Sequence, residues 1–242
     1  MKTFLTAVVL SLLLVHGEQA TAQANQESVS ILWKGIGGKT RWDNTNYILF
    51  TATGNESKHL QNGRKFLINK QSGQVRFEGK VDNGDNIVAL FNFKTQKILR
   101  LFSNGVESKT ATEEVNEYFA KIHEQFKKDA TFLFLPTLID KPETRTGKSV
   151  AKIVNAEKLQ SVPFQLKDNS LAGEVLFNVE TGYIKQLVDR EGNEFYVNGY
   201  KDIGGGVFLP TTFKSMDSQN KSTSFTTVAA FTEMEDAKFS NL

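Results

Sequence analysis

Short β-type runs separated by turn residues recur along almost the whole chain, and they leave little choice of fold. "NYILFTAT", "RKFLINK", "QVRFEGKV", "NIVALFNF" and "KILRLFS" are rich in β-branched and aromatic residues, with Gly, Asn, Asp and Ser between them. After a central break the pattern resumes in "SVAKIVN", "GEVLFNV", "YIKQLVD", "EFYVNGY", "VFLPTTFKS" and "STSFTTVAAFTEM". That makes about eleven strands. A parallel pair needs a crossover of about a dozen residues or more, and connections this short do not supply one. The chain is therefore read as α+β and mostly β, with one large antiparallel sheet laid down as a meander.

Three of the connections share one chemistry. "LINKQSGQV", "LFNFKTQKI" and "LFNVETGYI" all fit L-[IF]-N-x-x-[ST]-[GQ]-x-[IV]. Each is a strand end, a polar turn opened by Asn69, Asn92 or Asn178, and the start of the next strand. An Asn side chain can bond the backbone two residues on and so set a turn. The copies are unequally spaced, which excludes a solenoid. The reading is one hairpin turn used three times, with a triplicated ligand motif as the functional alternative. "DREGNEF" adds a further turn at Gly192 and Asn193.

Two stretches depart from the strand pattern. In "NQESVSILWK", Val29, Leu32 and Trp33 are spaced i, i+3, i+4, as on one helix face. This stretch runs into "GIGGKT", which resembles a phosphate cradle and fails the test of spacing. A Walker A loop would need its opening glycine where Trp33 stands, and G-x-G-x-x-G would need its third glycine at Thr40. Gly35 to Gly38 are read instead as the stop of a short helix, with glycine supplying positive φ at its C-terminus.

The second departure is "TATEEVNEYFAKIHEQFKKD", where Val115, Tyr118, Phe119, Ile122 and Phe126 form one apolar stripe. Thr110 and Glu113 can make a capping box, and Lys127 and Lys128 suit the negative end of the dipole. The polar face carries both signs, so the helix is expected to dock on the sheet rather than on an anionic membrane. "ATFLFLPTLIDKP" comes next. Phe132, Leu133, Phe134 and Leu135 leave no polar side. Read as an extended run ended by Pro136, it sends Phe132 and Phe134 to one face and Leu133 and Leu135 to the other. Phe119, Phe126, Phe132 and Phe134 are the candidate ligand-binding residues, as walls of an apolar pocket.

The first 24 residues read as a secretory leader: Lys2, an apolar run too short to span a bilayer, and "ATAQA" with cleavage after Ala22 or Ala24. Residues 25–242 are then one domain. No cysteine is present, which excludes disulfides, thiolate zinc sites and the acylated cysteine of a bacterial lipoprotein. Export without disulfides fits a periplasm, with the extracellular space as the alternative. Lys and Arg number 29 against 27 Asp and Glu, interspersed, so nothing points to nucleic acid. His59 and His123 lack metal-ligand spacing, and no G-x-S-x-G elbow appears. No cofactor, metal or membrane span of the mature chain is expected.

These elements together, a leader, an N-terminal helix, a broad antiparallel sheet, an inserted helix and no catalytic constellation, resemble the periplasmic lipoprotein carrier and receptor superfamily (LolA/LolB-like). The chain is similar, more closely still, to exported Bacteroidetes proteins on that plan. The matching features are Gly37, Gly38 and Trp42 before the first strand, "LFLPTLID", Leu209-Pro210, and a terminal Asp236 and Phe239. The resemblance implies an incomplete β-barrel whose concave face is covered by helices and holds an apolar ligand. The expected function is a non-enzymatic periplasmic binding protein, a monomer whose partner is a lipid or lipoprotein acyl chain. The alternatives are a structural or interaction module of the cell envelope with a filled core and, less favoured, a hydrolase with a carboxylate pair.

Overall fold

The structure is a computed structural model that describes residues 26–54, 57, 59–108, 112–217 and 221–240; the expected leader, 1–24, lies outside the described residues. In β1 (Tyr47–Gly54), Ile48, Phe50 and Ala52 are sealed inside while the residues between them stay partly exposed. The first half continues with β2 (Arg64–Asn69), β3 (Gln74–Lys80), β4 (Asn86–Asn92), β5 (Lys97–Ser103) and β6 (Val106–Glu107). The second half contains β7 (Arg145–Thr146), β8 (Val150–Val154), β9 (Glu157–Gln165), β10 (Ala172–Phe177), β11 (Ile184–Asp189) and β12 (Glu194–Asn198). It ends with β13 (Lys201–Asp202), β14 (Phe208–Leu209), β15 (Thr212–Ser215) and β16 (Thr223–Phe231).

The main sheet runs β6-β5-β4-β3-β2-β1-β16-β15-β12-β11-β10-β9-β7, with β8 also on β9, and β13 pairs with β14 apart from it. Every neighbour is antiparallel, as short connections require. β16 slots between β15 and β1, paired from Tyr47 opposite Phe231 to Gly54 opposite Thr223 with a one-residue bulge in β16 where Thr51 gives way to Ala52. Two local meanders thereby become one surface. The outer strands do not meet, so the sheet is open rather than a closed barrel.

All eleven runs read from the sequence form strands, and "VFLPTTFKS" is split at Pro210 and Thr211 into β14 and β15. The described chain adds the two-residue β6, β7 and β13, and the long β9. Pro163 obscures β9, because proline lacks the ladder donor. The Pro163 carbonyl accepts from Gly147 N–H, so its nitrogen faces the gap where β7 hands over to β8. The missing donor falls where no ladder bond is needed.

The first helix, α1, spans 26–35. Gly38 N–H reaches the Trp33 carbonyl and Gly37 N–H the Lys34 carbonyl, with Gly37 at φ 92°. This pair of bonds is a Schellman stop, and it accounts for "GIGGKT". Gly38, at φ 100°, then opens the short α2 (Lys39–Asn44).

The inserted helix α3 (Glu113–Leu133) buries Val115, Ile122, Phe126 and Leu133 against the sheet. Its cap differs from the expectation. Thr112, not Thr110, receives the Val115 N–H, which sets Glu113 and Glu114 in the first turn; Thr110 lies outside the described residues.

The segment after it also departs from the reading. It is helical, not extended. α3 carries on through Leu133, breaks at Phe134, and α4 (Leu135–Leu138) begins beyond the break. Propagating an existing helix is easier than nucleating a strand. Pro136 sits in the first turn of α4, where its missing N–H costs nothing, and its ring excludes a continuous bond to the Phe132 carbonyl. The kink at Phe134 keeps Leu133 and Leu135 fully buried while Phe132 and Phe134 stay partly exposed.

Candidate functional site

Between the inner sheet face and the α3–α4 kink lies an open groove of about 440 Å³. That size is within the ~300–1,000 Å³ usual for small-molecule sites. Ile48 and Ile68, opposite one another on β1 and β2, form part of its floor. Phe93, from the turn after β4, faces Phe126 of α3 with ring centres 6.1 Å apart. Trp42 of α2 tilts onto Phe134 at 5.6 Å, and Ala130 and Leu138 complete the helical wall.

The mouth of this greasy groove is lined by Lys70, Lys94, Lys127 and Lys141. Lys70 is fixed by Trp42: its ammonium donates to the Trp42 carbonyl at 2.6 Å and lies 4.0 Å over the indole. Burial pushes the Lys70 amine down to about 8; Asp43 opposes this and the positive charge of Lys141 adds to it. Lys94 donates to the Gln71 carbonyl. Lys127 is paired with Asp168 at 2.9 Å. Burial acts to raise the Asp168 carboxyl, but hydrogen bonds from Ser170 and Lys127 and the Lys127 charge hold it down to about 2. Among the described residues, Lys70, Lys94 and Lys141 have no ion-pair partner, and no carboxylate or histidine lines the groove.

Of the four phenylalanines read as pocket wall, Phe126 and Phe134 line this groove and Phe119 and Phe132 do not. Phe119 packs on Phe91 and His123 near the start of the helix. Phe132 meets Phe195 and Phe213 at 5.4 and 5.1 Å, in the half of the core under β12 and β15. The helical path separates them: residues two apart lie on one side of a strand but about 200° apart around a helix.

Trp42, Ile48, Ile68, Phe93 and the lysines were missed by sequence reasoning. A signal existed for some of them in the repeated turn. In all three copies the Asn side chain accepts N–H bonds from the second and third residues after it. In the first two copies the residues just after Asn69 and Asn92 are Lys70, Phe93 and Lys94, all on the groove. The third turn serves packing instead. Its Gly182 lies against Gly35 of α1, where a Cβ on Gly182 would come 2.2 Å from the Ile31 carbonyl oxygen.

The motifs behind the family resemblance occupy packing joints. A Cβ on Gly37 would lie 2.0 Å from the Gly206 carbonyl oxygen. Asp140 accepts from Trp33 Nε1 at 2.9 Å and from Lys39 at 2.7 Å, clasping α1 and α2 to the end of α4. Leu209 is fully buried, and Phe239 packs on Tyr47.

A second cleft of equal volume, about 440 Å³, lies on the outer sheet face beneath the C-terminal segment. Leu49, Leu67 and Phe231 share its walls with Lys65, Arg76 and Glu78, whose charges pair among themselves. Its polarity is internally matched, so the inner groove is the candidate site. Among the described residues no three His, Asp or Glu side chains gather to hold a metal ion. The carboxylates with displaced titration (Glu78, Glu107, Glu117, Glu124, Asp140 and Asp168) are all held low, none raised as a catalytic acid would be.

No family model and no curated protein matches the chain. Among solved structures it is similar to a DUF1329 family protein from Desulfovibrio piger, at a TM-score of 0.43 and 10% identity over 90% of this chain and 96% of that one. It is also similar to a structure described as an outer membrane lipoprotein-sorting protein domain from Vibrio parahaemolyticus, at a TM-score of 0.37 and 10% identity over 83% and 93%.

Proposed function

We propose that this chain is a non-enzymatic binding protein that holds an apolar chain, of a lipid or a lipoprotein, in the groove between the sheet and the α3–α4 kink. The observation that carries the reading is the groove itself. Aromatic and aliphatic side chains surround an open space in a molecule whose remaining inner face is filled with Phe and branched aliphatics. Exposing such a surface to water costs about 25 cal/mol per Å², so an apolar occupant gains what the empty site forgoes. The absence of carboxylate and histidine from the described walls weighs against a hydrolase at this place.

Export to the periplasm belongs to the same proposal and rests on the leader-like first 24 residues. It requires a mature chain that begins at Gln23 or Asn25; N-terminal sequencing of protein from the cell envelope checks this, and an intact Met1 refutes it. Kinship with the exported Bacteroidetes proteins likewise rests on the sequence motifs.

Titration with a fluorescent fatty-acid probe, together with mass spectrometry of organic extracts of the purified protein, tests the binding reading. Saturable binding that weakens in Phe134→Ala is expected. No probe binding and empty extracts would favour the structural module of the envelope.

A further inference from the structure

We infer, resting on the groove reading, that the ligand is a single-chain amphiphile with an anionic oxygen headgroup, which the lysines at the mouth of the groove receive. Four elements deliver these lysines to one opening: the turn after β2 gives Lys70, the turn after β4 gives Lys94, α3 gives Lys127, and the loop after α4 gives Lys141. Charges in the chain as a whole nearly cancel, at 29 basic against 27 acidic, so four lysines with no carboxylate among the described walls are a local excess. Among the described residues Lys127 is ion-paired, with Asp168, while Asp43 acts on Lys70 and Asp140 on Lys141 from beyond ion-pair distance.

Like charges in a partly desolvated site repel one another, and an oxyanion between them removes that repulsion. The Trp42 carbonyl and indole already hold the Lys70 ammonium in place, which lowers the ordering cost of binding. Apolar floor and cationic mouth thus match the two ends of one molecule. The volume, about 440 Å³, is near the small end of ligand sites and suits one chain rather than two.

Calorimetry with dodecanol, dodecanoate and dodecyl phosphate separates the possibilities, because the chain is constant and the head varies. Both anions are expected to bind about tenfold tighter than the alcohol, the equivalent of one charge-assisted hydrogen bond, with the advantage shrinking in high salt. Lys70→Gln with Lys141→Gln should bring dodecanoate down to the level of dodecanol, and the matching arginine pair should restore it. If those variants fail to fold, the comparison of heads in the unaltered protein still decides. Equal affinity for alcohol and acid would overturn the headgroup inference while leaving the carrier reading intact. Displacement of dodecanoate by inorganic phosphate at equal concentration would assign the lysines to a free anion and also overturn it. If no dodecyl compound binds, the groove reading fails first.

Discussion

Arg64, the first residue of β2, clasps Asp129 of α3 through two hydrogen bonds of 2.8 and 3.0 Å, and both side chains are wholly sealed from solvent. Gln125 donates to the same carboxylate at 3.0 Å, and Arg64 also bonds the Gly54 carbonyl at 2.9 Å. The helix is therefore located on the sheet by a charged pin as well as by packing. Asp129→Ala should cost about 3–5 kcal/mol in urea unfolding, because it strands a buried guanidinium. Arg64→Met combined with Asp129→Leu should recover part of the loss. The buried charge is gone and the Nη1 of Arg64 already lacks a partner among the described residues, but the Gln125 amide and the Gly54 carbonyl lose their bonds to the pair. A double variant no better than the single would show that the pin does more than locate the helix.

Trimming along the kink should separate stability from binding. Leu133 is fully buried, and Leu133→Ala is expected to cost about 2–5 kcal/mol. Phe132 packs on Phe195 and Phe213, away from the groove, so Phe132→Ala should also act on stability. Phe134 borders open space and should lose less stability but more affinity for a fatty-acid probe. Urea unfolding and probe titration on the three variants check this. Equal losses of stability with no change in affinity would remove Phe134 from the site.

The glycines of "GIGGKT" should differ in cost. Gly38 has φ 100° with open space beyond it, so Gly38→Ala bears only backbone strain, about 1–3 kcal/mol. Gly37→Ala should be worse, since the new Cβ meets the Gly206 carbonyl oxygen at 2.0 Å and backbone must move. Lys39→Ala removes an exposed ion pair with Asp140 and a cation–π contact 5.5 Å from the Trp33 ring centre, both at the surface, and should change the unfolding midpoint little. Thermal melts of the three variants give the order. Specific ATP binding lost in Lys39→Ala would reverse the helix-stop reading.

Lys70 gives stability and binding opposite pH dependences. Burial lowers its amine from 10.5 to about 8, against Asp43 and with Lys141, while Lys94 and Lys127 share the same rim. Between those two values the unfolded chain keeps a proton that the folded chain has released. The contribution of Lys70 to stability therefore rises with pH across that window and is flat below it. Affinity for an anionic amphiphile should instead fall as pH rises through about 8, because the ammonium is lost. Comparing the unaltered protein with Lys70→Met across the window isolates both effects. An affinity independent of pH would take Lys70 out of headgroup recognition.

Sequence alone determined the features that neighbours a few residues apart can set. The alternation of Ile48, Phe50 and Ala52 settles a half-buried strand. The stripe from Val115 to Phe126 settles an amphipathic helix, and Gly37 and Gly38 settle a helix stop. The Asn69, Asn92 and Asn178 turns close on bonds within three residues, so they too were legible. Tertiary structure decided the features that depend on distant partners. "FLFLP" has no period long enough to choose between strand and helix, and the helix already running into it made the choice. The pairing of β1 with β16 joins residues some 180 positions apart, as in Tyr47 opposite Phe231, and no local pattern specifies it. The groove depends on both. Trp42, Ile68, Phe93 and Phe134 become neighbours only once the sheet has formed and the helix has broken above it, so of the fourteen residues that line the groove the sequence pointed to two, Phe126 and Phe134, and not to the lysine rim.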